Sequence, residues 1–371
     1  MHKKHTKKRV PAWAKCVLAA VLAACLFAPN LATTNRGAFA DANYNYFEFG
    51  YPSAAAMLAD ANSLNQEICE EGFTLLKNDG LLPMTPPSGQ KIKASAFGNN
   101  SASLIYCGFG SSDNWKGETS VYDAFAPSVF ELNPTLKAFY NDSGKSGAKI
   151  NPHASIDNYR MGMDILETPR SAYTSDIIGS YQNYNDLAIV FLTRTAGEGS
   201  DLPTTSLQRG FAERSDAYKL SGARHWDDHY LQLDKNEVDM LQMVMDNFDK
   251  IMVVVNGSSY VELGFLDDPA HYLYTDNGYT GSTAAAEAKM AKFKAAINVN
   301  MPGSNGILAL PRIMDGTVNP SGHLVDTFVR DMKNDPTYKN QGLSGLTEAE
   351  LRYGEYYVHY DEDIYMGYRY Y

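Results

Sequence analysis

Apolar residues recur along the chain at two spacings, one typical of helices and one typical of buried strands. Between residues 51 and 72 the spacing is helical and Gly72 supplies a stop signal, so this segment is predicted to be a helix. The same spacing predicts a helix over residues 237–247. Three short apolar runs that contain β-branched residues are interpreted as buried strands: residues 92–97 in part, 187–193 and 251–256.

Further elements are expected downstream. They are a strand over residues 295–299, a turn at Pro302 and Gly303, and a helix from Asn305 to about Met314. Buried strands with helical segments between them are what a parallel sheet covered on both faces requires. The pattern therefore predicts an α/β fold in which a mostly parallel sheet is sandwiched by helices.

The first forty residues have the organisation of a signal peptide. Residues 1–15 are rich in Lys and Arg, residues 16–28 form an apolar run that is short for a bilayer span, and the small-residue site Ala38-Phe39-Ala40 follows. We expect cleavage after Ala40 and a secreted or cell-surface protein. A second interpretation is a lipoprotein signal, because Leu22-Ala-Ala-Cys25 resembles a lipobox; otherwise Cys25 is one more residue of the apolar run.

Charge and cysteine content exclude two classes of protein. The net charge is −11, and removal of residues 1–40 takes away seven of 32 Lys and Arg and none of 43 Asp and Glu, which leaves −18. A chain this acidic is not expected to bind nucleic acid. Cys69 and Cys107 then remain, too few for a disulfide framework. They form either one bridge or two buried thiols, and we favour thiols because Cys69 lies within a predicted helix.

A single glutamate stands out after the strand predicted over residues 187–193. The strand runs into Arg194-Thr-Ala-Gly-Glu-Gly-Ser-Asp201, where Gly197 and Gly199 flank Glu198. Groups at the carboxyl ends of strands line the ligand crevice of open α/β sheets, and flanking glycines let a ligand approach closely. A glycosidase needs such an acid, since the glycosidic oxygen must be protonated as its bond breaks. By itself, however, the pattern is more typical of a solvated loop.

Six segments resemble motifs of glycoside hydrolase family 3, and they occur in that family's order. They are Leu75-Leu-Lys-Asn-Asp-Gly-Leu-Leu-Pro83, Ala196-Gly-Glu-Gly-Ser-Asp201, Leu231-Gln-Leu-Asp-Lys-Asn-Glu237, Met301-Pro-Gly303, Gly316-Thr-Val-Asn-Pro-Ser-Gly322 and Ile364-Tyr-Met-Gly-Tyr-Arg-Tyr370. The second is similar to the family's SGEGxDR loop and the last to its IYxGYRY segment. Each is weak alone, but together they make nearly the whole mature chain similar to the family's α/β-sandwich domain.

The resemblance implies a six-stranded sheet between helices and retaining hydrolysis of β-glucosides or related oligosaccharide, aryl or alkyl glycosides. In that family the nucleophilic aspartate belongs to a (β/α)₈ barrel, which would partner this chain in cis or in trans, and the sandwich lends the acid/base glutamate. Glu198 matches the acid/base, and no position matches the nucleophile. The expected substrate-binding residues are Arg194, Gly197, Gly199 and Asp201. No metal and no other cofactor is expected.

Three regions are thus predicted: a signal peptide over 1–40, an α/β-sandwich hydrolase domain over 41–330, and an aromatic-rich tail over 331–371 that leads to a missing domain. Leu202 stands where the family usually has a basic residue, and residues 206–226 form a long polar insertion, so sugar specificity is not predicted. A second hypothesis is a non-catalytic carbohydrate-binding or structural remnant of a truncated glycosidase.

Two histidines, His225 and His229, have the spacing of one helical turn. Paired histidines at this spacing can ligate zinc, but a metal site needs a third ligand, and none has a clear spacing nearby. We therefore interpret both histidines as surface residues.

Overall fold

The computed structural model describes residues 50–108, 119–147, 165–196, 229–268, 283–338 and 360–371. Two compact units are distinguished, residues 1–57 and residues 58–371. Of the first unit, residues 50–57 are described, and they include the first turn of helix α1 (Ala54–Gly72). The signal peptide predicted over residues 1–40 lies outside the described residues and stays a prediction.

The second unit alternates strands and helices. After α1 come β1 (Thr74–Asn78), β2 (Ile92–Phe97), α2 (Val121–Phe125), β3 (Phe130–Leu132), α3 (Pro134–Asn141), α4 (Ser143–Ser146), α5 (Ser175–Ser180), β4 (Leu187–Arg194), α6 (Lys235–Asn247), β5 (Ile251–Gly257), α7 (Thr283–Met290), β6 (Phe293–Asn300) and α8 (Ala309–Met314). The helices predicted around α1 and α6 and the strands predicted around β2, β4, β5 and β6 are confirmed. β3 has only three residues, too few for a recognisable pattern.

The six strands form one sheet in the order β1-β6-β5-β4-β2-β3. Every neighbouring pair is parallel except β1 and β6. The predicted α/β fold with a six-stranded, mostly parallel sheet is thereby confirmed. The longest register joins β4 to β5, from Ala188 opposite Ile251 to Arg194 opposite Gly257.

The core lies on both faces of this sheet. In β4, Leu187, Ile189 and Phe191 pack into one apolar cluster together with α2 and α8. The alternate residues Ala188, Val190 and Leu192 pack into a second cluster together with α3 and α6. All eight residues of β4 are buried, which is the pattern of a parallel strand covered by helices on both faces.

Helix α6 begins at a complete capping box. The Asp234 side chain accepts the backbone N–H of Glu237, and the Glu237 side chain accepts the backbone N–H of Asp234. Two of the otherwise unpaired N–H groups at this end are satisfied in this way. The helix therefore starts two residues before the predicted boundary at Glu237.

The two cysteines beyond the predicted signal peptide are not joined by a disulfide. Cys69 is buried in α1, where its thiol donates to the carbonyl of Pro302, and Cys107 is half-buried. Burial, followed by the charge of Glu70, raises the pKa of the Cys69 thiol to about 11. The prediction of two thiols is confirmed, although only one of them is fully buried.

The predicted aromatic tail is described over residues 331–338 and 360–371. Its exposed large side chains are Tyr360, Ile364, Tyr365, Met366, Tyr368, Tyr370 and Tyr371. The hydroxyl of Tyr371 donates to Asp335, so the two described pieces of the tail contact each other.

None of the described helices is both long and apolar enough to cross a bilayer. The predicted boundaries at residues 40 and 330 remain predictions.

Candidate active site

A ligand-binding crevice is expected at the point where successive strands stop being added on one side of the sheet and begin to be added on the other. β2 lies between β3 and β4, so the chain leaves β2 toward one side of the sheet and later continues from β4 toward the other. α2 follows β2 on one face, whereas α6 follows β4 on the opposite face. The helices that follow β2 and β4 thus cover opposite faces of the sheet, and in open α/β sheets ligands bind at such a switch point.

The loop after β4 begins from a tightly held position. The backbone N–H of Thr195 donates to the hydroxyl of Tyr230 over 2.8 Å. The hydroxyl of Ser258 accepts the N–H of Ala196 at 2.7 Å and donates to the carbonyl of the same residue at 2.5 Å. Ala196 stands two residues before Glu198, so the entry to the glutamate loop is fixed by hydrogen bonds from both neighbouring segments.

The end of β4 is further held by Arg194, whose side chain is completely buried. Its Nε donates to the carbonyl of Tyr230, and Nη1 and Nη2 donate to the two carboxylate oxygens of Glu237. Two more donors reach the carbonyls of Thr193 and Gln232. A guanidinium has five N–H donors, and all five are used.

The Arg194 side chain therefore has no unused N–H donor. A hydrogen bond to a sugar hydroxyl would require one of the five internal bonds to break, so direct substrate contact by Arg194 stays a prediction that the geometry does not favour. Burial, the largest single effect, would lower the pKa of the guanidinium, but the charge and hydrogen bonds of Glu237, together with Tyr230 and Asp234, outweigh it and the pKa of Arg194 is raised. The side chain therefore stays charged inside the protein.

A second carboxyl group, Asp234, lies beside this ion pair. One of its oxygens accepts the N–H of Glu237 at 2.7 Å, and the other is buried with no hydrogen-bond partner among the described residues. Burial, followed by the negative charge of Glu237, raises the pKa of Asp234 well above its ordinary range. The site thus contains one buried cation, one carboxylate paired with it and one carboxyl group that favours its neutral form.

Glycine is required at the ends of both β2 and β5. A Cβ on Gly98, where φ is +101°, would lie 2.3 Å from the carbonyl oxygen of Phe191. A Cβ on Gly257, where φ is +144°, would lie 1.8 Å from the carbonyl oxygen of Arg194. Both distances are far inside contact range, so these strand ends can approach β4 only without a side chain.

Polar side chains also occupy the edge of the sheet at which β2 and β5 end. Asn256, at the end of β5, donates to the carbonyls of Ile105 and Asn300 and accepts the N–H of Ile105. The carboxylate of Glu167 accepts the N–H of Asn99, just past β2, and that of Thr168. A buried polar layer therefore fixes the loops around the switch point, where apolar packing would leave backbone groups unsatisfied.

The predicted site residues divide into two groups. Arg194 lies at the end of β4, whereas Glu198, Gly197, Gly199 and Asp201 lie outside the described residues and stay predictions. His225 is also outside them, and the surface interpretation of His229 is wrong, because His229 is 3% exposed. Sequence reasoning missed Tyr230 and Ser258, since no spacing signal links either residue to the end of β4.

Comparison with known proteins gives a consistent match. Residues 73–368 match the family model "Glycosyl hydrolase family 3 C-terminal domain". Beta-glucosidase A of Butyrivibrio fibrisolvens is 26% identical over 310 residues, which cover 83% of this chain and 32% of that protein. A beta-glucosidase of Ruminococcus albus is 24% identical over 309 residues, 82% of this chain and 25% of that protein. The chain thus spans about a third or less of these relatives.

Two solved structures support the same fold. Beta-glucosidase 3B from Thermotoga neapolitana, in complex with α-D-glucose, superposes with a TM-score of 0.59 at 21% identity, over 85% of this chain and 36% of that one. A beta-glucosidase from Paenibacillus barengoltzii gives a TM-score of 0.56 at 22% identity, over 83% and 27% of the two chains. At these identities the likeness establishes the fold.

Proposed function

We propose that this chain, which belongs to glycosyl hydrolase family 3 through that family's C-terminal domain, supplies the acid/base part of a secreted β-glucosidase-like active site. The observation that carries the proposal is the fixed entry to the Glu198 loop at the switch point of the sheet. Tyr230 and Ser258 hold Thr195 and Ala196 by hydrogen bonds, so the chain is fixed in position two residues before Glu198. A side chain that must protonate a substrate bound on another domain needs a backbone that is anchored in this way.

In the first step, a carboxylate nucleophile from a separate barrel domain would attack the anomeric carbon of a bound β-glucoside. Glu198 would give its proton to the glycosidic oxygen as that bond breaks, which lets the alcohol leave as a neutral molecule. The product of this step is a glycosyl ester on the barrel, and Glu198 is left as a carboxylate.

In the second step, the same carboxylate would take a proton from water while the water attacks the anomeric carbon. The glycosyl ester then breaks, the sugar leaves with its original configuration, and Glu198 is protonated again. Such a mechanism needs the two carboxyl groups about 5 Å apart, a separation that only the correct docking of the barrel can set.

The other predicted site residues have supporting roles in this proposal. Gly197 and Gly199 would let the backbone around Glu198 approach the sugar, and Asp201 would bind it or orient the loop. Arg194 would act indirectly, because its five hydrogen bonds hold the end of β4 against α6 and Tyr230. We therefore propose a positioning role for Arg194 in place of the predicted contact with the sugar.

The decisive experiment is reconstitution with the barrel domain of a related β-glucosidase, supplied in cis or in trans. We expect no turnover of an aryl β-glucoside by the chain alone and measurable turnover by the assembled enzyme. Glu198→Gln should abolish most of that turnover, whereas Glu287→Gln, at an exposed position of α7, is the matched control and should retain it. Assembly that binds glucosides but never hydrolyses them would instead favour the non-catalytic remnant.

A further inference from the structure

Three potential metal ligands from distant parts of the sequence meet beside the candidate active site. One ligand atom from each of His229, Glu262 and Asp331 lies within 4.8 Å of the other two. His229 and Glu262 are buried and Asp331 is half-buried. We propose that these three residues form a structural binding site for a divalent transition-metal ion of the Zn²⁺ type. The proposal does not depend on the glycosidase function.

The geometry of His229 carries the inference. Its side chain is 2% exposed, and its Nε2 has no hydrogen-bond partner of adequate geometry among the described residues. Yet an oxygen of Glu262 lies only 3.1 Å from that nitrogen. A buried imidazole nitrogen in this situation calls for an explanation, since buried polar atoms are nearly always paired. Two ligands of one tetrahedral Zn²⁺ ion lie about 3.3 Å apart, so a shared ion accounts for a close approach without a hydrogen bond.

The two carboxylates are already oriented by hydrogen bonds from the chain. The N–H of Met332 donates to Glu262 at 2.6 Å, and the N–H of Lys333 and the amide of Asn334 donate to the two oxygens of Asp331 at 2.9 and 2.7 Å. Ligating carboxylates in metal sites typically have such supporting donors, which fix the direction of the remaining lone pairs. Both carboxylates therefore have the kind of support that a bound ion requires.

One hydrogen bond to His229 opposes the binding of a metal ion. The N–H of Leu231 donates to Nδ1 of His229 at 3.3 Å, and an imidazole that ligates a metal through Nε2 carries its proton on Nδ1. Occupation therefore requires Nδ1 to give up this acceptor role. At 3.3 Å it is the longest hydrogen bond around the cluster, and a long neutral hydrogen bond is weak compared with a metal–ligand bond.

The donor set selects the class of ion. Ca²⁺ and Mg²⁺ prefer sites made entirely of oxygen atoms, whereas one imidazole and two carboxylates suit Zn²⁺ with a fourth position left for water. A bound ion would join the loop after β5, through Glu262, to the Asp331 segment and to His229. Tyr230, which follows His229 in the sequence, accepts a hydrogen bond from Thr195 just past β4. The ion would therefore restrict the movement of the backbone that leads to Glu198.

Metal binding to the purified, untagged full chain tests the proposal directly. After dialysis against a chelator, titration with ZnCl₂ in a calorimeter should show one saturable equivalent per chain. His229→Gln and Asp331→Asn should each weaken binding by more than about 100-fold, because each removes a ligand. His323→Gln changes an exposed histidine outside the cluster and should leave binding unchanged. Circular dichroism checks that each variant is folded.

Co²⁺ supplies an independent spectroscopic measurement. A tetrahedral Co²⁺ complex at these ligands should give visible d–d absorption that disappears when Zn²⁺ is added and is absent from Asp331→Asn. If His229→Gln does not fold, Asp331→Asn decides, since Asp331 is half-buried and its change perturbs the interior less. Absence of saturable Zn²⁺ binding by the parent chain overturns the proposal, as does undiminished binding by the folded variants. Either result would leave His229 and Glu262 as a simple buried pair.

Discussion

Arg194 and Glu237 form a bidentate ion pair inside the protein, with distances of 2.7 and 2.8 Å between the two nitrogens and the two oxygens. Arg194 is the last residue of β4, and Glu237 lies in the first turn of α6. These two positions bracket residues 197–228, which include Glu198. The pair therefore fixes the distance between the point where the glutamate loop leaves the sheet and the helix that follows it.

Removing the charge of Glu237 should strongly destabilise the chain. Glu237→Gln leaves the Arg194 guanidinium buried without a counter-charge, and loss of one partner of a buried pair costs about 3–5 kcal/mol. Chemical denaturation of both proteins measures the difference in unfolding free energy. Asp239→Asn is the control, because it breaks the exposed pair with Lys235 and should cost at most about 0.5 kcal/mol. A loss below about 1 kcal/mol for Glu237→Gln would contradict the importance of the buried pair.

Replacement of Asp234 should have a pH-dependent effect. Burial and the Glu237 charge raise the pKa of Asp234 in the folded state, so its contribution is most favourable below the unfolded pKa of about 3.9 and is lost as pH rises through the folded value. The amide that Asp234→Asn introduces keeps an oxygen to accept the Glu237 N–H but cannot ionise. This variant should therefore gain in stability relative to the parent as pH rises from about 4 to about 8, as measured by denaturation at each pH.

The matched control for that experiment is Asp142, an exposed residue that caps α4. Its hydrogen bond with Lys145 lowers the pKa of Asp142, so its contribution is present above the unfolded pKa and is lost as pH falls through the folded value. Asp142→Asn should accordingly show a small effect of the opposite sign. A relative stability of Asp234→Asn that declines with rising pH would mean that the buried carboxylate is charged and stabilising.

Any side chain at Gly257 should disrupt the junction between β4 and β5. The Cβ of Gly257→Ala would overlap the Arg194 carbonyl at 1.8 Å, and φ is unfavourable for alanine, so we expect a loss of at least about 3 kcal/mol or failure to fold. Gly80→Ala measures the cost of the backbone conformation alone, because Gly80 has a φ of +73° but no atom lies within 4 Å of the added Cβ. Its cost should be about 1–2 kcal/mol. Similar thermal stabilities for the two variants would show that the close approach is not rigid.

Ser258 should affect catalysis in the reconstituted enzyme more than it affects substrate binding. Ser258→Ala removes both hydrogen bonds to Ala196, which loosens the entry to the Glu198 loop. We expect kcat to fall by about 10-fold or more with little change in KM, because misplacement of an acid acts mainly on the transition state. Ser321→Ala, at an exposed serine, should leave both constants unchanged. An increase in KM alone would instead indicate a lost substrate contact.

Glu198→Gln in the reconstituted enzyme should show the kinetics of a missing acid/base. Turnover should fall most for alkyl glucosides, whose leaving groups need protonation, and least in the first step with a dinitrophenyl glucoside. The glycosyl-enzyme should then accumulate, and azide, which needs no general base, should restore turnover and give a β-glycosyl azide. Asp201→Asn should show no such rescue. Nearly parental hydrolysis of an alkyl glucoside would exclude Glu198 and direct attention to Glu213.

The sequence by itself determined the parts of this protein that depend on local patterns. Buried parallel strands are continuous apolar runs, so β2, β4, β5 and β6 were recognisable without knowledge of their neighbours. The α/β fold followed from their alternation with helices, and the ordered motifs pointed to the family. Glu198 is also predicted from the sequence, but through the match of Ala196-Gly-Glu-Gly-Ser-Asp201 to a family motif, since a carboxylate between two glycines is by itself more typical of a solvated loop.

Only the tertiary structure decided which distant residues support the site. Tyr230 and Ser258 meet the end of β4, and Glu262 and Asp331 meet His229, because the sheet brings together loops that are separated along the chain. The sequence predicts a surface position for His229 because no third ligand stands nearby, yet Glu262 and Asp331, which lie close to it in the fold, are 33 and 102 positions away along the chain. Contacts between residues so far apart along the chain leave no periodic pattern in the sequence, so only the fold reveals them.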